Sequence, residues 1–314
     1  MIRMFTLQLV PDIRCTVVFK SGLRYASQLE LIQLGLIVMQ MIVLRMLSNY
    51  VGETAFLEGV SRYLKQRLYG NSVSRDLWDA IGNVTGLEIA KLMDNWIGFP
   101  VVSVKERPDG IYVKQSRFWE SGPAPNEDSA LWMIPLCVSY ITDSGDVLVD
   151  RTLMLDKRES VLSARQGKFL KLNADTKGVF RVQYERERFL QIAEEIEHNQ
   201  SKFSLNDKIG LIHDVVALGL AGYEGISVTL AIIYAFRNEK EYLIWGSISA
   251  GLNKLISIFW ESPKITQLLY DFCKSLYGPI VHKVGISYSP DESLDITILR
   301  TNVIEQAALV GHEE

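Results

Sequence analysis

From Val43 to about residue 97 the apolar positions recur at helical intervals. Between Val101 and Tyr184 they alternate with polar ones in short runs, and from Phe189 onward helical spacing returns. In the first region Phe56, Val60, Tyr63 and Leu64 fall at i, i+4, i+7 and i+8, predicting an amphipathic helix that Gly70-Asn71 ends. Ser74 is a candidate N-cap, with Asp76 in the first turn. Leu77, Ala80, Ile81 and Val84 form the inner face of that helix. After Gly86 another stripe follows, carried by Ile89, Leu92, Met93 and Trp96.

Gly98-Phe99-Pro100 breaks the helical period. Strands are predicted over 101–104 and 111–113, around a Pro108-Asp109-Gly110 turn. Others are predicted over 131–141, 147–155 and 169–172, with a loop at 119–129. The stretch from Gly178 to Glu185 is the joint: Phe180, Val182 and Tyr184 alternate with Val179, Arg181 and Gln183, and helical spacing begins just after it. About seven short strands at close spacing suggest a small β-sandwich. Beyond the joint, helices are predicted over about 205–220, 225–237, 242–260, 264–276 and 291–310, in the manner of an α-solenoid of helical hairpins. Residues 1–42 are the odd part, a strand-like run at 15–19 followed by an apolar run within 29–47. That run is interrupted by Gln40 and flanked by charge, so it predicts a helix buried against protein, not a membrane span. The opening residues do not make a secretory signal either, since no small-residue cleavage site follows Pro11-Asp12.

Composition excludes several classes. The 314 residues are 48% apolar and 22% charged, with 33 Lys and Arg against 37 Asp and Glu, so no nucleic-acid footprint is expected. Cys15, Cys137 and Cys273 are far apart and read as separate thiols of a reducing, cytoplasmic compartment. Cys137 is placed in a buried strand and Cys273 on an apolar helix face, both inert. His312-Glu313-Glu314 begins a His-Glu-x-x-His pattern and has no second imidazole, so a metal role is not assigned. His198, His213 and His282 read as structural or surface histidines, and Glu194, Glu195 and Glu197 as a solvated helix face. Tyr and Trp residues are read as core. No nucleophile elbow, phosphate loop or dinucleotide loop is present. No catalytic, cofactor-binding or metal residue is assigned.

A set of separated segments carries a family resemblance. Val43-Leu-Arg-Met-Leu-Ser-Asn-Tyr-Val-Gly-Glu53, Phe56-Leu-Glu-Gly-Val-Ser-Arg-Tyr-Leu64, Tyr69-Gly-Asn, Ser74-Arg-Asp-Leu-Trp78 and Met93-Asp-Asn-Trp96 with Gly98-Phe-Pro100 occur in order. Lys177-Gly-Val-Phe-Arg-Val-Gln-Tyr184 and Leu205-Asn-Asp-Lys-Ile-Gly-Leu-Ile-His-Asp214 follow. Together they resemble the zinc aminopeptidases of the aminopeptidase N and puromycin-sensitive type. The resemblance implies an α+β multidomain architecture. Residues 1–42 would be a divergent segment, 43–97 the last helices of a thermolysin-like catalytic domain, 98–184 a β-sandwich, and 185–314 the first part of a HEAT- or armadillo-like helical domain. It implies too that the family's Gly-x-Met-Glu-Asn loop, His-Glu-x-x-His and distal Glu ligand fall before the matching region, and none occurs here. The position of its transition-state tyrosine falls near Ile37, with no Tyr between Ala26 and Asn49.

The expectation is therefore a truncated family member, either a partial gene model or a paralogue without its front half. Zinc and peptide substrates would belong to the full-length family, and this chain alone would be inactive. The alternatives are a non-catalytic helical scaffold that binds a peptide or protein, and an enzyme completed in trans by a chain carrying the zinc site. Helices 43–97 without the rest of a catalytic domain would expose apolar surface and associate.

Overall fold

The computed structural model describes residues 43–68, 73–94, 96, 98–123, 129–163, 167–198, 200–289 and 291–311. The runs expected within residues 1–42, with Cys15, lie outside the described residues, as do Gly70, Asn71 and His312. Residues 45–314 cluster as one compact unit.

The helical stretch begins with residues 43–51 (α1), then Glu53–Gln66 (α2), Ser74–Thr85 (α3) and Ile89–Asp94 (α4). Leu47, Ile81, Ile89 and Leu92 are sealed together, ringed by half-buried Tyr50, Phe56 and Leu77. Gly86 ends α3 at φ 71, a left-handed position that suits glycine. Two local expectations change. Leu64 is not on the inner face of α2, being 57% exposed. The reason is Gly59, which lets α2 approach so closely that an added Cβ would lie 2.7 Å from Ile81 Cα and turns Leu64 outward. The N-cap of α3 is Val73, not Ser74; the Asp76 carboxylate accepts the Val73 N–H at 3.0 Å, tying off that end without a serine.

The sheet region follows. Pro100–Arg107 (β1) and Gly110–Arg117 (β2) form an antiparallel hairpin. Of the remaining strands, Ile134–Pro135 (β3), Val138–Ile141 (β4), Val147–Asp150 (β5) and Met154–Leu155 (β6) come from the two long runs read as single strands. Glu159–Leu162 (β7), Lys168–Lys171 (β8) and Arg181–Tyr184 (β9) complete the set. They make three sheets, ordered β7-β2-β1-β9, β3-β6 and β5-β4-β8. Strand β9 pairs with β1 in parallel, Val101 opposite Arg181 and Val104 opposite Tyr184.

The first long run breaks at Cys137, which sits at φ 45 between two strands and not within one. There the carbonyls of Leu136 and Cys137 turn to accept the N–H groups of Asn173 and Ala174. The second breaks where Asp150 Oδ1 accepts both the N–H and the hydroxyl of Thr152, a local turn that competes with the ladder. Strand β7 had no sequence signal: Glu159 and Val161 are exposed, and only Leu162 is buried. Buried Gln115 ties the strands together. Its amide donates to the carbonyls of Trp132 at 2.9 Å and Lys157 at 2.8 Å, and accepts the Trp132 N–H at 2.8 Å.

After the joint come Arg186–Glu197 (α5), Leu205–Leu220 (α6), Ile226–Ala235 (α7), Tyr242–Ile258 (α8), Pro263–Val284 (α9) and Leu294–Leu309 (α10). Helix α7 packs on α5 and α6, α8 on α6, and α10 on both α8 and α9. Helix α9 runs eight residues past its expected end and carries Pro279 inside it. Buried Leu276, Tyr277 and Ile280 hold that last part against the core, and packing overrides the proline's preference. One core runs from Val101 in β1 to Val310 after α10. The passage from sheet to helix is an edge-to-face contact between Tyr184 and Phe189, ring centres 5.5 Å apart.

The aromatic expectation holds for Trp132, Trp245, Tyr140, Tyr184 and Tyr277, which are buried. It fails for Trp119, Tyr234, Tyr288 and Trp260, the last 71% exposed on the turn after α8. The described chain is a mixed helix-and-sheet protein of α+β type, and no described helix is long and apolar enough to cross a membrane.

Candidate functional site

The densest polar chemistry surrounds the joint. Asp207 lies at the third position of α6, where its Oδ2 accepts the Ser204 N–H and its own N–H meets Ser204 Oγ, both at 3.1 Å. Its Oδ1 takes Lys171 Nζ from β8 and the Asp175 N–H, each at 2.6 Å. Lys171 and Asp207 are each 9% exposed at the side chain, so this is a buried ion pair with its spare hydrogen bonds used. Around it Asn173, Asp175 and Thr176 hold φ near 57°, 57° and 51°. Left-handed backbone is tolerated by Asn and Asp and strained for a β-branched Thr. Asp175 Oδ1 accepts Ser204 Oγ and Asn206 Nδ2, and the Asn173 amide closes on Gly178. The Ser204 and Asn206 hydroxyl and amide hold the Asp175 carboxyl below the usual carboxylate range against the opposing effect of burial, with Lys177 helping.

A second node lies two turns further along α6. Asp214 accepts the Val182 N–H at 3.0 Å and Arg181 Nη1 at 3.3 Å. Burial pushes its carboxyl up to about 6, with Arg181 and the Val182 N–H pulling the other way. The Arg181 guanidinium sits 5.1 Å from the Phe99 ring centre and 4.8 Å from that of Phe118, and Phe118 stacks on Tyr223. This node joins the Gly98-Phe99-Pro100 link, strand β9 and helix α6.

A cleft of about 180 Å³ opens beside the joint, lined by Glu106, Tyr184, Glu185, Glu187, Arg188 and Gln191. Arg188 is held there by Glu106 at 3.3 Å, Glu195 at 3.6 Å and the Leu170 carbonyl at 2.8 Å. The cleft presents carboxylates, an occupied guanidinium and a phenol that burial pushes up, but no imidazole or thiol. It can hold a polar group, and it has no nucleophile–base pair.

The residues weighed for chemistry are scattered. His198 caps the end of α5, its Nδ1 at 2.9 Å from the Glu194 carbonyl. His213 is exposed, and its carbonyl meets Arg181 Nη1 at 3.5 Å. His282 lies in the last turn of α9. Burial raises both described thiols, Cys273 to about 12, away from reactivity. The acidic face of α5 is engaged and not merely solvated: Glu195 meets Arg188, and Glu197 pairs with Arg237. Among the described residues no three His, Cys, Asp or Glu side chains converge as metal ligands. The Lys171–Asp207 and Arg181–Asp214 nodes escaped the sequence reading. The only available signal was Ser204 with Asp207, a capping box ahead of an apolar run.

A sheet region set between two helical stretches, with buried polar nodes at the joint, defines a mixed helix-and-sheet class of protein. The comparisons with known proteins narrow it. The Peptidase family M1 domain matches residues 40–96, and the ERAP1-like C-terminal domain matches residues 169–314. The alanine/arginine aminopeptidase of Saccharomyces cerevisiae is 30% identical over 276 residues, covering 87% of this chain and 31% of that protein. The puromycin-sensitive aminopeptidase of Caenorhabditis elegans is 30% identical over 279 residues, 86% of this chain and 29% of its own length. The tricorn protease-interacting factor F2 of Thermoplasma volcanium is 32% identical over 238 residues, 74% and 28% of the two chains. The chain belongs to the M1 zinc aminopeptidase family and corresponds to a C-terminal portion of its members. It spans about 30% of the length of these curated relatives.

Proposed function

We propose that this chain is the scaffold portion of an M1-type aminopeptidase and does not hydrolyse peptides by itself. Residues 43–97 take the part of the catalytic domain's last helices, 98–184 of a β-sandwich and 185–314 of the first part of the helical domain. The Peptidase family M1 match ends at residue 96, just before β1, and supports the first boundary, while the ERAP1-like match begins at residue 169, within β8, and supports the order of the parts. The observation that carries the inactivity is the use of the polar groups. Lys171, Asp207, Arg181 and Asp214 are spent on one another across the joint, and the described thiols are driven away from ionisation. Peptide hydrolysis by this family needs zinc to polarise the carbonyl, a general base and a donor for the oxyanion. The sequence has no His-Glu-x-x-His, and the described residues bring no set of side chains together that fits a zinc ion. Peptides as substrates and zinc as cofactor are assigned to the longer relatives. A cytoplasmic location is part of the same proposal, supported by the free thiols Cys137 and Cys273.

The test is the purified chain incubated with zinc and an aminoacyl-arylamide. No release above the buffer rate is expected. Turnover with stoichiometric bound zinc would overturn the reading.

A further inference from the structure

Helix α2 presents to solvent a stripe whose flanking charges are arranged to match a copy of itself. Leu57 and Leu64 are seven residues apart on one face, 50% and 57% exposed, and Leu68 just past the helix end is 67% exposed. The opposite face is used inside the chain, where Gly59 meets Ile81. The charges beside the stripe are segregated along the helix, Glu53 and Glu58 in its first half, Lys65 and Arg67 at its end. At about 100° per residue, Glu58 and Lys65 fall on one side of the Leu57–Leu64 line, and Glu53 and Arg67 on the other.

We propose that α2 docks antiparallel on α2 of a second copy of this chain, about a two-fold axis near Val60 and Ser61. An isologous contact of this kind pairs residue i with j and j with i. Leu57 then meets Leu64 of the second copy and Glu58 faces its Lys65, while Glu53 comes beside its Arg67, whose guanidinium within the chain also holds Asp76 at 2.5 Å. Each of these pairs has nearly the same midpoint in sequence, so one register satisfies all of them. A parallel pairing fails: it sets Glu58 beside Glu53 and Lys65 beside Arg67. Within the chain Glu58 holds Arg62 at 2.6 Å, with the two side chains 52% and 50% exposed, a solvated pair that rearranges readily. A helix of 14 residues is small beside the roughly 800 Å² that each partner gives to a standard interface, so the dimer is weak and concentration-dependent.

The experiment is sedimentation velocity on the full chain over a concentration series. The expected result is a reversible rise in average mass toward twice that of the monomer. Leu64→Glu should sediment as monomer at every concentration with its circular dichroism unchanged, because the side chain it replaces is exposed. Glu58→Lys or Lys65→Glu alone should weaken the dimer about tenfold, and the double exchange should restore it. Three results would each overturn the proposal: a wild-type monomer throughout, association that survives Leu64→Glu, or a double exchange no stronger than the single ones.

Discussion

In residues 98–311, Trp132, Phe189, Trp245 and Tyr277 are sealed into one core that runs from the first sheet to the last helix. In residues 43–96 the sealed cluster is Leu47, Ile81, Ile89 and Leu92, while Tyr50, Phe56 and Trp78 around it are only half-buried. Both regions have amphipathic helices of ordinary length. What separates them is how many faces are covered. Helix α6 packs against α7, α8 and the 174–176 turn, whereas among the described residues α2 packs mainly against α3 and leaves Leu57 and Leu64 exposed. A helical stripe stabilises a region in proportion to what it is buried against, and the first region should open at a lower free energy than the second.

The largest expected effect tests that difference directly. Trp245→Ala empties a fully buried site that packs on Tyr277 and should cost about 3–5 kcal/mol, lowering the denaturation midpoint of the whole 98–311 core. Ile81→Ala should cost about 2 kcal/mol and act locally, raising amide hydrogen exchange in α1 to α4 while α6 to α8 keep their protection. Equal loss of protection in both regions would mean that they unfold as one unit.

A middle-sized effect comes from Asp214. Its carboxyl is raised to about 6 when folded, above its unfolded value, so the native state binds that proton more tightly. The resulting stabilisation is full below about pH 4, fades as the pH rises through about 6, and amounts to at most about 3 kcal/mol. Asp214→Asn keeps an acceptor for Val182 and should flatten the stability profile between those pH values, read from denaturation midpoints. An unchanged slope would show that another group sets it. At the small end, Arg75→Ala removes one partner of an exposed pair with Asp79 and should shift stability by no more than about 0.5 kcal/mol. A larger loss would mean that residues 43–96 are less solvated than their side chains indicate.

Period-based reading recovered elements whose one face is buried. Helix α6 and the Phe189, Ile192, Ala193, Ile196 stripe of α5 were readable because tertiary packing agrees with their local spacing. The failures occur where backbone hydrogen bonds leave the regular ladder. Nothing in Leu136-Cys137-Val138 announces a left-handed residue, because the break depends on Asn173 and Ala174 arriving from far along the chain. The end of α9 was placed too early, at about 276, because the helix continues through Pro279, held by buried side chains on both sides of it. The orientation of α2 was missed for a related reason: a glycine contact has no side chain to register as hydrophobic. The family, in contrast, was readable from short segments in order, while the Lys171–Asp207 and Arg181–Asp214 nodes needed coordinates because their partners are 36 and 33 residues apart.

The left-handed turn at 173–176 sets a rule for building chimaeras with relatives. A seam drawn between residues 184 and 185 follows the visible change from sheet to helix. It would put Lys171, Asn173, Asp175 and Thr176 on one parental piece and Ser204, Asn206, Asp207 and Gly210 on the other. A donor with alanine at position 210 would drive a methyl group to 2.1 Å from Thr176 Oγ1. Segments 171–178 and 204–210 are therefore one interchangeable part, and a viable hybrid must take both from the same parent.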